Sequence, residues 1–225
     1  LAGISLEIHV GERIALIGRN GCGKSTLMLH ANGIKKPQKG EVRVDGKIVR
    51  YIKKDLLELR RQVGLVFQNP EDQLFSASVF QDLSMGPLNM GLTAEQARLR
   101  VQKVAELCDL TDLMNRPTHA LSGGEKTKAA LAGVLAMEPQ ILFADEVTNS
   151  LDPWIRLQVL DILSSWVDHG HTVVLSTHDW NLASTWAQRI IWMDKGRVSR
   201  QGTPAEVLKG QDLPEGMHNH DQPTQ

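Results

Sequence analysis

Three short stretches carry residues whose types and spacing suit chemistry on a phosphate. The first, Gly18-Arg19-Asn20-Gly21-Cys22-Gly23-Lys24-Ser25, fits G-x-x-x-x-G-K-[ST] and stands between an apolar run and a periodic segment beginning Lys24-Ser25-Thr26. Glycines at this spacing let backbone N–H groups wrap a di- or triphosphate, and a helix N-terminus adds partial positive charge; Lys24 reaches the outer phosphates and Ser25 offers a hydroxyl to Mg2+. The second stretch, Ile141-Leu-Phe-Ala-Asp145-Glu146, puts two acids at the end of an apolar run. Ionised carboxylates are expensive to bury without a partner. Mg2+ is such a partner for Asp145, while Glu146, one residue on and pointing elsewhere, can accept a proton from an attacking water.

The third stretch is Leu121-Ser122-Gly123-Gly124-Glu125-Lys126. Ser122 and Glu125 form a capping box and predict a helix start. Gly123 and Gly124 then fill its first turn, although each costs up to about 1 kcal/mol relative to Ala in a helix interior. Their bare amides make sense if they face a charge.

These groups need elements to position them. Alternation over Ile4 to Val10 and again over Arg13 to Ile17 predicts two strands, the second feeding the glycine loop and a helix over Lys24 to Ala31. Asp45-Gly46 within Glu41 to Val49 is a hairpin signal. Val63 to Phe67, Ile141 to Ala144, Val173 to Ser176 and Arg189 to Met193 read as strands buried on both faces. Between the first two of these lies a helical block with a capped helix over Thr93 to Leu110; further helices are expected over Trp154 to Val167 and Asn181 to Ala187. The prediction is an α/β fold: a parallel-sheet core with a small antiparallel β part and a helical subdomain over about residues 76–138, in one domain spanning residues 1–210. The polar stretch 211–225 is expected to be a disordered tail; a solvated pair outweighs a metal site at His218 and His220, since two histidines without further ligands bind weakly.

Composition narrows the class. The chain has 225 residues, 41% hydrophobic, enough for a sizeable core. With 25 basic and 26 acidic residues it carries no global attraction to nucleic acid or to an anionic membrane, and no nucleic-acid partner is expected. Two cysteines, Cys22 and Cys108, match no disulfide or zinc spacing, which favours a reducing, cytoplasmic compartment. No apolar run approaches the roughly 20 residues that cross a bilayer, so a membrane role has to come through a partner.

With the glycine loop, Leu121 to Glu125 and Asp145-Glu146 in this order, the chain resembles the ATP-binding cassette (ABC) ATPases, whose signature motif is LSGGQ or a close variant. The resemblance implies ATP and Mg2+ as cofactors and a dimer in which each ATP lies between the loop of one chain and the signature of the other. By position it implies that Gln68 contacts Mg2+ and the water, that His178 contacts the γ-phosphate, and that Asp152 sits between facing subunits. Taken alone, Gln68 is a polar strand end, His178 a loop histidine and Asp152 before Pro153 a helix cap. The stretch Val66 to Phe75 further resembles the ATPase of energy-coupling-factor importers, especially the cobalt or nickel branch. That implies a peripheral protein on the cytoplasmic face, docked on a membrane-embedded coupling protein that works with a substrate-capture subunit. Leu74, Phe75, Val79, Phe80, Leu83 and Met85 divide between receiving a partner helix and core packing. The sequence departs from the family at Val147, usually Pro, at Asn149, usually a small residue, and at Glu125, commonly Gln. An adenine-stacking aromatic is expected upstream of the first strand; Tyr51 lies downstream of it. Cys22 at a helix N-terminus reads either as a thiol whose alkylation blocks nucleotide binding or as a loop filler.

Overall fold

The computed structural model describes residues 1–209; the stretch with His218 and His220 lies outside them. In chain order the elements are β1 (Arg13–Ile17), α1 (Lys24–Ala31), β2 (Arg43–Val44), β3 (Lys47–Ile48), α2 (Lys53–Gln62), β4 (Val63–Val66), α3 (Val79–Asn89), α4 (Ala94–Leu107), α5 (Gly123–Leu135), β5 (Ile141–Asp145), α6 (Pro153–Asp168), β6 (Thr172–Thr177), α7 (Trp180–Trp186), β7 (Arg189–Asp194), β8 (Arg197–Gly202) and α8 (Pro204–Leu208). Six strands form one sheet in the order β4-β5-β6-β1-β7-β8. All neighbours are parallel except β8, which returns antiparallel to β7. The expected α/β parallel-sheet core with a small antiparallel part is the observed architecture.

The apolar runs behave as doubly buried strands because helices cover both faces. Ala15 and Ile17 of β1, Leu142 and Ala144 of β5, and Val173 and Leu175 of β6 enter one apolar cluster, together with α3 to α7. The intervening Ile14, Leu16, Phe143 and Val174 enter a second cluster on the other face, with Met28 of α1 and Leu59 of α2. Each fully buried Leu or Ile contributes about 1.5–3 kcal/mol, so the sheet itself supplies a rigid base for its loops. Close approach of α5 to β4 depends on Gly64, where a Cβ would fall 2.6 Å from Val134 Cγ1 and 3.0 Å from Pro139 Cγ.

The expected strand over Ile4 to Val10 is not formed. Ile4, Leu6 and Ile8 do pack against the second cluster, so the alternation reports a half-buried extended segment. It is held through Ala2 N–H to the Gly196 carbonyl (2.8 Å) and Thr172 Oγ1 to the His9 carbonyl (3.0 Å), rather than by a ladder to a neighbouring strand. The hairpin forms where Asp45-Gly46 placed it, with φ of 50° and 73° at the turn, but with only two residues in each strand. The capped helix begins at Ala94 behind a complete Thr93/Gln96 box. Its last turn is shorter than expected, ending at Leu107, and the following Cys108 is a core thiol that burial pushes up to about 12. Helix α2 and strand β8 escaped the sequence reading because both are polar: α2 buries Leu59 alone fully, and β8 is an edge strand with a bulge opposite Trp192 and Met193.

Candidate active site

Four adjacent parallel strands end at one rim of the sheet, which is where α/β proteins bind ligands. In the order β4, β5, β6, β1 they deliver Gln68, Asp145 with Glu146, His178, and the loop Gly18 to Lys24. The loop can pass under the next strand only because Gly18 lacks a side chain: a Cβ there would lie 2.4 Å from the Met193 carbonyl oxygen and 2.6 Å from Cys22 Sγ. Gly23, at φ 109°, turns the backbone into α1. Arg19, Asn20, Gly21 and Ser25 are exposed around the loop, with Thr26 partly so.

Lys24 is only 5% exposed, and its ammonium has two partners. Nζ donates to the Gly18 carbonyl at 3.0 Å and pairs with Glu146 Oε1 at 3.1 Å. The other Glu146 oxygen, Oε2, accepts from Asn149 Nδ2 at 2.5 Å and lies 3.7 Å from His178 Nδ1. Ser176 Oγ donates to Asp145 Oδ1 (2.5 Å) and accepts from the Glu146 amide (2.9 Å), so one hydroxyl sets both acids. Glu146 itself stands at φ 50°. A non-glycine residue held in that left-handed region stores strain of the kind that collects at functional sites.

At the start of α5, Ser122 Oγ accepts from the Glu125 amide (3.3 Å), and the Glu125 carboxylate accepts from the Ser122 amide (2.7 Å). The Ser122 amide, then its hydroxyl, hold the Glu125 carboxyl below the usual carboxylate range. The box leaves the amides of Gly123 and Gly124 untaken among the described residues. Among the described residues, no hydrogen bond or ion pair joins this helix start to Lys24 or Glu146 of the same chain.

The sequence model of the ABC transporter family matches residues 1–149. The chain belongs to this family. The cassette is 44% identical over 208 residues to the energy-coupling factor transporter ATP-binding protein EcfA of Methanocaldococcus jannaschii, covering 92% of this chain and 75% of that protein. It is 46% identical to the cobalt import ATP-binding protein CbiO of Rhodobacter capsulatus, covering 91% and 73%. Among solved structures it resembles CbiO1 from Clostridium perfringens, part of the ABC transporter complex cbiONQ, at TM-score 0.83 and 42% identity over 92% of this chain and 82% of that one. A dimeric ATP-binding cassette in a post-hydrolysis state with ADP and phosphate matches at TM-score 0.81 and 28% identity, covering 89% of each chain. The ABC ATPase reading made from the three motifs is borne out, and the chain is an ATP-hydrolysing cassette of the energy-coupling-factor type.

Within the cassette, the donor set fits Mg2+. Asp145 and Ser25 offer hard oxygens, and no group of three or more His, Cys, Asp or Glu side chains among the described residues builds a protein cage; an ion shared with phosphates needs only one or two protein oxygens. Gln68 is exposed at the end of β4 and makes no hydrogen bond to the Lys24–Glu146 cluster among the described residues. Asp152 caps α6, its Oδ1 accepting from the amides of Trp154 and Ile155 at 3.0 Å each. Cys22 is buried and packs in the second apolar cluster. That position fits the loop-filler reading, with the thiol packed beneath the loop. Tyr51 is engaged elsewhere, its hydroxyl on the Lys35 carbonyl and Lys36 over its ring.

The two signature glycines turn out to differ. A Cβ on Gly123 would meet nothing within 4 Å, whereas one on Gly124 would lie 2.9 Å from Ile155 Cγ2 in α6. Gly124 is thus required for the packing of α5 against α6. Gly124→Ala is expected to destabilise the cassette by about 1–3 kcal/mol through overpacking against a stiff β-branched side chain. Gly123→Ala should leave the melting temperature unchanged or raised; thermal unfolding of both variants checks the contrast.

Sequence reasoning missed three residues of the site. Ser176 sets both acids, and Arg156 of α6 pairs with Asp179 beside His178. Burial pushes the Asp179 carboxyl upward, but Arg156 and the Leu182 amide outweigh it and hold the group below its usual range. Asn149 was noticed only as a departure from the family.

Proposed function

We propose that this chain is the ATP-binding and ATP-hydrolysing subunit of an energy-coupling-factor importer for cobalt or nickel, acting as a head-to-tail dimer on the cytoplasmic face of the membrane. The observation that carries the catalytic part is Lys24 Nζ held 3.1 Å from Glu146 at the rim where four strands end. A polyphosphate bound along Gly18 to Thr26 competes for that ammonium and turns Lys24 outward to its oxygens, which leaves Glu146 to accept the proton of an attacking water. His178 contacts the γ-phosphate. Asp145, Ser25 and Gln68 would hold Mg2+, which when bound neutralises phosphate charge. Ser122, Gly123, Gly124 and Glu125 of the facing chain present a helix N-terminus to the same ATP, with Asp152 between the subunits.

The partner in this reading is membrane-embedded, which the likeness to CbiO1, part of the ABC transporter complex cbiONQ, supports; among the described residues no helix is long and apolar enough to cross a bilayer. The apolar residues after Gln68 divide cleanly. Val79 and Leu83 are fully buried and Leu74 packs against the core, while Phe75 is 75% exposed, with Phe80 and Met85 also open. The open three supply the surface for a helix of the coupling protein. Phe75→Ser with Met85→Ser is expected to abolish copurification with that subunit while ATP hydrolysis by the isolated cassette persists; hydrolysis lost together with copurification would contradict the division. The cobalt relative CbiO supports the metal assignment. Uptake of radioactive cobalt by cells expressing this chain with its membrane subunits, lost on Glu146→Gln, is the expected result. Uptake of a vitamin in its place redirects the cargo assignment, and stimulation of hydrolysis by nucleic acid overturns the transport reading.

A further inference from the structure

Neither the phosphate loop nor the acid pair calls for an amide at position 149, yet Asn149 touches both groups proposed to handle the water. Its Nδ2 lies 2.5 Å from Glu146 Oε2 and 3.4 Å from His178 Nδ1, whereas those two groups stand 3.7 Å from each other, beyond hydrogen-bond reach. The loop is built to bring it there. Asn149 N–H donates to the Glu146 carbonyl at 3.0 Å, closing a turn; Glu146 at its start and Ser150 just after it both take positive φ, 50° and 58°.

The chemistry of the acceptors orients the amide. An ionised carboxylate only accepts hydrogen bonds, so Asn149 must present its NH2 rather than its carbonyl to Glu146. The second proton of that NH2 is then available to His178 Nδ1, which must be the unprotonated ring nitrogen to receive it. The ring proton consequently sits on Nε2, where it can be donated to a phosphate oxygen. Glu146 is meanwhile held at both oxygens, Oε1 by Lys24 and Oε2 by Asn149. When phosphate draws Lys24 away, Oε1 is released and Oε2 stays tethered, so the carboxylate keeps its direction at the moment it has to act.

We propose that Asn149 is a positioning residue of the hydrolytic site, tethering the Glu146 carboxylate and selecting the His178 tautomer protonated on Nε2. The inference rests on the reading of Glu146 as base and His178 as γ-phosphate contact. Asn149→Ala is expected to lower kcat for ATP about tenfold, the lower end of what removing a residue that orients a reacting group costs, with KM and melting temperature little changed. Asn149→Asp should be slower still, since its carboxylate cannot donate and repels Glu146. Nitrogen-15 NMR of the histidine rings, with His178 assigned by the signal lost in His178→Ala, should show the Nε2–H tautomer in the native chain and a mixture in Asn149→Ala. Wild-type kcat in Asn149→Ala overturns the inference, as does a parallel fall of kcat, apparent affinity and melting temperature; an unaltered tautomer overturns its histidine half. Glu146→Gln measured alongside separates the two levels: if it turns over normally, the reading of Glu146 fails, and if it is inactive while Asn149→Ala is normal, only the role of Asn149 fails.

Discussion

Glu146→Gln is expected to keep ATP binding and to cut turnover by roughly 10²-fold or more, the span that removal of a general base produces. Gln has the size of Glu but cannot take the water proton. The backbone at residue 146 is unaffected by the exchange, because its left-handed turn is held by the amide on Ser176 and the Asn149 amide on the 146 carbonyl. Lys24 loses its carboxylate partner but keeps the Gly18 carbonyl, and bound phosphate supplies the missing negative charge. Nucleotide affinity should therefore be equal to or higher than that of the native chain. Equilibrium binding of a labelled nucleotide, set beside a phosphate-release assay, separates the two quantities. Unchanged steady-state hydrolysis would remove Glu146 from the role of base, and lost binding would show that the Lys24–Glu146 pair is structural.

Ser122→Arg is the second large effect: hydrolysis should vanish while the isolated chain still binds ATP. The substitution removes a cap, at about 1 kcal/mol, and places a cation at the positive end of α5, which is also unfavourable. Neither cost unfolds a cassette whose α5 buries Ala129, Ala130, Leu131, Ala132, Val134 and Leu135. What is lost is the anion site offered to the facing chain. A mixing experiment makes the point sharply. Ser122→Arg retains a sound loop and acid pair, and Glu146→Gln retains a sound signature, so a mixed dimer contains one composite site with every part intact. Hydrolysis restored by mixing two inactive variants is the expected result. If the signature served its own chain's nucleotide, the mixture would stay inactive.

How far the site was legible follows from the range of the contacts involved. The phosphate loop and the capping box act between residues a few positions apart, and their requirements for Gly, Lys, Ser and Glu are local, so spacing alone exposed them. The Asp145-Glu146 pair was readable because acids at the end of an apolar run conflict with burial. Ser176 and Arg156 escaped for the opposite reason. Each is an ordinary polar residue until the sheet order places β6 beside β5 and α6 beside the His178 loop. Asn149 is only three residues from Glu146, but spacing does not reveal the left-handed turn that folds its amide back onto the carboxylate. The segment Ile4 to Val10 shows the limit of periodicity: alternation describes which side chains face the core, while a ladder requires a neighbour running alongside.

Gly123 and Gly124 draw the same line most finely. The amino-acid sequence by itself established the family chemistry, since a wrapped phosphate, a metal-binding acid and a bare helix start each need particular residues at short fixed spacings. It could not divide the two glycines, nor tell that Val79 and Leu83 are core while Phe75 is surface, nor that Lys24 and His178 converge on the Glu146 carboxylate. Those distinctions are steric and electrostatic contacts between residues far apart along the chain, and only the packing of α5 against α6 and the shared rim of four parallel strands creates them.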